Sequence, residues 1–336
     1  MSFSRFLSWA FLCVCILGSS EAQAKGKLKQ KLLRLDSVLA VRYFHTSYDT
    51  NYVVRPEGRL TLKLKVNQTG NSIHAKGTVK DVYSKANLHT RHKTTISLGA
   101  SYRGISAAFS LNPAKMGGIY KDYELNVNYY GSRFSLDASY QRSSSLSGDV
   151  ERNGPQRLEE GDVNMKVFNI AGYYVFNHRR FSFPAAFTQS YVHRRSAGSW
   201  LAGISYQGGT IKTTEDFRER HPEANDMRLS VGHLGIGGGY GYNLVLRKKW
   251  LLHLSLLPTF VVYNRNKITV NGESRHASGI RFNMLFNERA AIIYNYSPRY
   301  FAGLNAVMNN SLFTDKNVII NQNKWVVRAF FGVRLW

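Results

Sequence analysis

The sequence predicts an all-β chain: a transmembrane antiparallel β-barrel of about twelve strands, of the bacterial outer-membrane type. Three observations carry this reading. Apolar residues recur at every second position through stretches of ten or more residues, longer than the usual strand and close to the roughly 9–11 residues that cross a bilayer. The connections between the stretches fall into short turns and long polar loops, the layout of an outer-membrane barrel. The first 24 residues read as an export signal. Mean hydropathy is −0.30, and past the N-terminus no run approaches the roughly 20 apolar residues of a membrane helix.

The elements follow in order. Arg5 gives a short basic start, FLSWAFLCVCILG (6–18) an apolar core, and Ala22-Gln23-Ala24 a cleavage site before Lys25. Both cysteines, Cys13 and Cys15, lie inside this segment, so the exported chain is expected to lack disulfide and thiol chemistry. Residues 25–57 are expected to form a periplasmic segment. Leu28, Leu32, Leu35 and Leu39 fall there at helical spacing among Lys27, Lys29, Lys31 and Arg34, which predicts a short basic amphipathic helix, either solvated on one face or lying on anionic lipid.

The barrel is expected over 58–336. In RLTLKLKV, Leu60, Leu62, Leu64 and Val66 alternate with Thr61, Lys63 and Lys65. TISLGASY turns at Arg103-Gly104 into ISAAFSL, and DYELNVNYY turns at Gly131-Ser132 into RFSLDASY. Similar stretches cover 163–176, 199–208, 228–245, 250–263, 278–296, 299–308 and 324–335. Segment 177–198 reads as a strand pair or a long turn, since Pro184 argues against a central strand; residues 67–80 read as strand or loop. Long polar connections are expected at 81–92, 143–162, 209–227, 264–277 and 309–323. The last stretch, NKWVVRAFFGVRLW, is expected to close the barrel against the first strand and to carry the signal read by the barrel-assembly machinery. Trp336 shares its parity with Arg334 and Arg328 rather than with the apolar residues, a departure from that signal.

SYDTNYVVRPEGRL (47–60), LGASYRGISAAFSL (98–111), YYVFNHRRFSFPAAFTQS (173–190), RRSAGSWLAGISY (194–206) and YNYSPRYFAGL (294–304) resemble, in order, the blocks of a Bacteroidota outer-membrane barrel family, domain-of-unknown-function family four-four-two-one. The resemblance implies a location and a fold. It implies no activity and no catalytic residues.

The formal charge is +24, which calls for anionic surroundings. Export removes nucleic acid as that partner and leaves outer-membrane lipids, lipopolysaccharide included. If the apolar face meets lipid, the lumen receives Lys63, Lys65, Arg133, Lys166, Arg281, Arg328 and Arg334 against fewer acids, Glu124 and Asp137. Such charges either fill the interior with ion pairs or line an anion-favouring passage. In GIGGGYGYN, Gly235, Gly237, Gly239 and Gly241 share one face. They continue a strand and lack nucleotide-fingerprint spacing, so they are expected to bend the wall or admit a plug made from 25–57 or 177–198. His45, His89 and His92 supply no third ligand at usable spacing, and no metal or cofactor is expected. His233 near Ser230 leaves a lipid hydrolase as a weak alternative. The expectation is a small-solute pore with a basic lumen; the alternative is a non-conducting structural or assembly barrel that docks a periplasmic partner.

Overall fold

The structure, a computed structural model, describes residues 47–335 except 57, 59, 80–81, 103–104, 113–121, 153, 223–224, 278–282 and 316–317. The expected export signal, the basic helix, Arg281 and Trp336 lie outside the described residues.

In chain order the strands begin with β1 (Val53–Val54), β2 (Leu60–Val79), β3 (Val82–Thr90), β4 (Lys93–Tyr102), β5 (Ile105–Leu111), β6 (Tyr123–Tyr130) and β7 (Phe134–Ser143). The chain continues through β8 (Leu146–Arg152), β9 (Pro155–Leu158), β10 (Val163–Val175), the short helix α1 (Phe183–Phe187), β11 (Val192–His193) and β12 (Ala197–Thr213). It finishes with helix α2 (Glu215–Arg220), β13 (Met227–Leu246), β14 (Trp250–Asn264), β15 (Asn266–Val270), β16 (Glu273–Ala277), β17 (Met284–Asn295), β18 (Tyr300–Asp315) and β19 (Val318–Leu335).

Twelve of these close a ring in the order β2, β4, β5, β6, β7, β10, β12, β13, β14, β17, β18, β19 and back to β2. The closing pair is antiparallel from Leu335 opposite Leu60 to Val318 opposite Gly77. Closure removes the exposed edges that a membrane cannot solvate. Period-two patterning then sorts side chains by face. Leu64, Leu98, Leu125, Val127, Leu254, Phe260, Leu304 and Phe331 stand exposed on the outer wall, while Ser97, Ser205, Asn243, Asn287 and Asn305 are buried inside.

One end of the ring carries short turns at 131–133, 247–249 and 296–299, the periplasmic end of an outer-membrane barrel. At the other end much of what reads as polar loop is strand: β2 with β3, β8 with β9, and β15 with β16 extend the wall. Polar residues sustain these extensions because their backbone ladders need no apolar face once past the membrane. α2 sits there too, capped by Thr214, whose hydroxyl accepts from Phe217 N–H at 3.3 Å, with Glu215 and Asp216 in its first turn and Arg218 and Arg220 in its last.

Candidate functional site

The functional geometry lies in the lumen, and its most unusual part is the link from β10 to β12. Instead of a two-residue turn, residues 176–196 fold into the mouth of the barrel. Phe181, Phe183, Ala185 and Ala186 are buried. Ser182 caps α1 by accepting from Ala185 N–H at 3.3 Å, and Pro184 sits in the first turn, where a missing N–H costs nothing. The proline that argues against a strand therefore starts a helix inside the barrel.

The wall receives this plug with aromatic side chains. Tyr130 stacks on Phe183 at 6.3 Å and packs on Phe187 at 5.4 Å; His253 meets Phe187 edge-on at 5.1 Å. Lys63 Nζ donates to Gln189 Oε1 at 3.0 Å and to the Thr188 carbonyl. A strap holds the plug from below. β1 pairs with β11, Asp49 N–H donates to the Arg179 carbonyl at 2.8 Å, and the Tyr48 and Tyr191 rings meet at 4.8 Å.

A polar seam joins plug to wall. Asn243 Nδ2 donates to the Ser182 carbonyl at 3.1 Å. A carbonyl only accepts, so this bond fixes the amide orientation. Asn243 Oδ1 then faces His253 Nδ1 at 2.7 Å and accepts its proton. His253 Nε2 accepts from Ser255 Oγ at 3.0 Å. His193 Nε2, 2.8 Å from Asn243 Nδ2, must also accept, leaving its proton on Nδ1 toward the Arg195 carbonyl at 3.2 Å. Burial lowers the His193 pKa to about 4. Ser255, His253 and Asn243 have the spacing of a hydrolase relay. Their surroundings are those of a latch: Ser255 is buried, its backbone is committed to ladders with β13 and β17, and Asn243 is bound to the plug.

Above the plug the lumen is bridged. Arg289 on β17 donates from Nη1 to Tyr130 OH at 2.9 Å, and from Nη2 to Asp137 and Tyr173 OH. β17 and β6 stand six places apart in the twelve-strand ring, so Arg289 and Tyr130 together bridge opposite walls. Higher up, Glu124 binds Lys93 and Lys324, each at 3.4 Å. Gln207 Nε2 reaches Gln322 Oε1 at 2.8 Å from five strands away. Between these layers lies a cavity of about 50 Å³, lined by Asn128, Asp137, Ser139, Asn169, Asn287 and Arg328 among others, room for a water or two.

The expected lumen cations separate. Lys63 and Arg334 are buried at the short-turn end; Arg334 Nη2 donates to Asn295 Oδ1 at 3.1 Å and its guanidinium lies 4.2 Å over the Phe301 ring. Lys65 points inward on β2, and Arg328 reaches Asn305 Oδ1 at 3.5 Å beside the cavity. Two placements correct the reading from sequence. Arg133 lies in the β6–β7 turn, donating to His178 Nε2 at 3.1 Å. Lys166 faces outward, because Met165, Val167, Ala171 and Tyr173 of β10 are buried inside. Apolar residues mark the lipid face only while the lumen is wet, and here the lumen has a hydrophobic core of its own.

The glycines also separate. A Cβ at Gly241 would lie 2.9 Å from Phe181 Cζ, so this position does receive the plug. A Cβ at Gly235 would meet Thr259 Oγ1 at 2.9 Å, and at Gly237 and Gly239 the Pro258 and Leu256 carbonyls of β14. Those three serve close approach within the wall. His233 packs on Phe313 with ring centroids 3.8 Å apart. Arg289, the centre of the interior, escapes sequence reasoning because a lone Arg in a strand carries no sign of its partners.

Fold and lumen together define the class: a twelve-stranded outer-membrane β-barrel with an occupied interior. The chain belongs to the family described as Domain of unknown function (DUF4421), which it matches over residues 47–335. Among solved structures it is similar to the outer membrane protease OmpT from Escherichia coli, with 7% identity, 86% of this chain and 99% of that chain covered, and a TM-score of 0.41. It is also similar to the outer membrane protein OprG from Pseudomonas aeruginosa, with 10% identity, 82% and 96% covered, and a TM-score of 0.28. No curated protein matches it.

Proposed function

We propose that this protein is a sealed outer-membrane barrel, a scaffold whose periplasmic end is built for docking rather than an open pore. The observation that carries the reading is the Arg289 crossbar above the 176–196 plug. Two layers, one ionic and one aromatic, occupy the path a solute would take. The basic-lumen pore is less favoured on the same grounds. Lys93 and Lys324 share the carboxylate of Glu124, Arg289 pairs with Asp137, and Lys63 is held by neutral acceptors of the plug. Lys65 and Arg328 are among the inward cations that an anion path would use. The test is a planar bilayer holding the folded chain under a salt gradient. A silent membrane is expected. Steady current steps with an anion preference would overturn the sealed reading and restore the pore.

A further inference from the structure

Among the described residues, the short-turn end is rich in cations. Arg179, Arg180, Arg194 and Arg195 flank the plug and are exposed, and Arg247, Lys248 and Lys249 stand exposed on the β13–β14 turn. Asp49 is the acidic residue described among them, 3.8 Å from Arg180. The far end differs: Arg91 pairs with Glu160 at 2.8 Å, and Arg218 lies near Glu215 and Asp226. Four arginines within seventeen residues repel one another, and the buried Phe181, Ser182 and His193 hold them in place. Repulsion of this kind is relieved by an anion from outside.

We propose that this face docks a periplasmic protein through a carboxylate-rich segment, a reading that rests on the scaffold function above and names its partner. Position argues against lipid. Headgroups surround a barrel and can reach the 247–249 rim, whereas the four central arginines belong to the segment that closes the mouth. Residue type argues for protein. Tyr52 lies beneath the Arg180 guanidinium at 5.0 Å and the Arg195 guanidinium at 6.0 Å. Arginine around a fixed tyrosine is the composition of protein hot spots, and guanidinium binds carboxylates in pairs of hydrogen bonds.

The experiment uses the full chain in nanodiscs and a labelled poly-glutamate peptide, with a poly-glutamine peptide as control. Saturable binding of the glutamate peptide alone is expected, weakening as salt rises. It should fall at least tenfold in Arg179→Ser/Arg180→Ser/Arg194→Ser/Arg195→Ser, and little in Arg247→Ser/Lys248→Ser/Lys249→Ser. If the fourfold variant does not fold, Arg194→Ser/Arg195→Ser replaces it, and the wild-type salt dependence and control peptide still decide. The proposal is overturned by no glutamate binding, by equal binding of both peptides, or by loss only in the rim variant, which would assign the charge to headgroups. Capture of peptidoglycan fragments without the peptide would also overturn it. The conductance test is independent, so a failed docking result leaves the sealed barrel standing.

Discussion

His193 shows how much one proton can decide. Its Nε2 faces an Asn243 amide that is already committed as donor by the Ser182 carbonyl. Adding a proton there sets donor against donor. Behind Asn243 stand His253 and, beyond it, the Arg289 guanidinium paired with Asp137, and burial is the main cause that disfavours charge on His193. Its pKa of about 4 in the folded state lies below the ordinary value near 6.5. The released plug therefore takes up the proton first as pH falls. The contribution of the neutral ring is fully present above about pH 6.5 and is lost as pH drops toward about 4. We expect lower protection factors across 183–187, after correction for the intrinsic exchange rate at each pH, at pH 5 than at pH 7, with the barrel still folded. The difference should shrink in His193→Gln; equal protection factors at both pH values would remove the latch.

Among the elements, the β13–β14 hairpin carries an unusual cost. Arg247 and Lys248 both adopt positive φ, 50° and 58°, left-handed backbone that Asn-Gly adopts more readily. Replacing them with Asn-Gly should relieve left-handed backbone strain and raise stability by about 1 kcal/mol in a urea titration; a lower midpoint would count against strain at this turn. The pattern of legibility follows the same physics. About twelve strands, the parity of most of them and the closing pair are readable because period-two alternation is a local signal and the bilayer makes it long. The plug was only half readable. Pro184 marks 177–198 as irregular, yet nothing in FSFPAAF says that its phenylalanines point inward, since aromatic residues also face lipid. Lys166 was misplaced for the same reason, because β10 is apolar on both faces. The partners of Arg289 come from β6, β7 and β10, over a hundred residues away, and sequence spacing does not encode such distances.

On the scale of the whole molecule, the barrel has two interiors in series. The short-turn half is packed like a soluble core, with Phe181, Phe183, Leu257, Ile293 and Phe301 almost without exposure. The upper half adds hydrogen-bonded and ionic layers to smaller apolar clusters around Met165 and Phe313. Arg289 and Asp137 join the two, with side-chain exposures of 2% and 17%. Removing one partner leaves a charge buried without compensation, so Asp137→Ala should cost about 3–5 kcal/mol in urea unfolding. The paired change Asp137→Leu with Arg289→Met should cost much less. Equal losses in both would show that the pair acts through packing alone.

The crossbar has a mechanical consequence as well. A ring of twelve strands around empty space can flatten into an ellipse when its surroundings press unevenly. A strut tied to opposite walls acts as a spoke and keeps the section round. Where the bilayer is thin or under tension, this barrel should keep its shape, and the surrounding lipid would take up the mismatch.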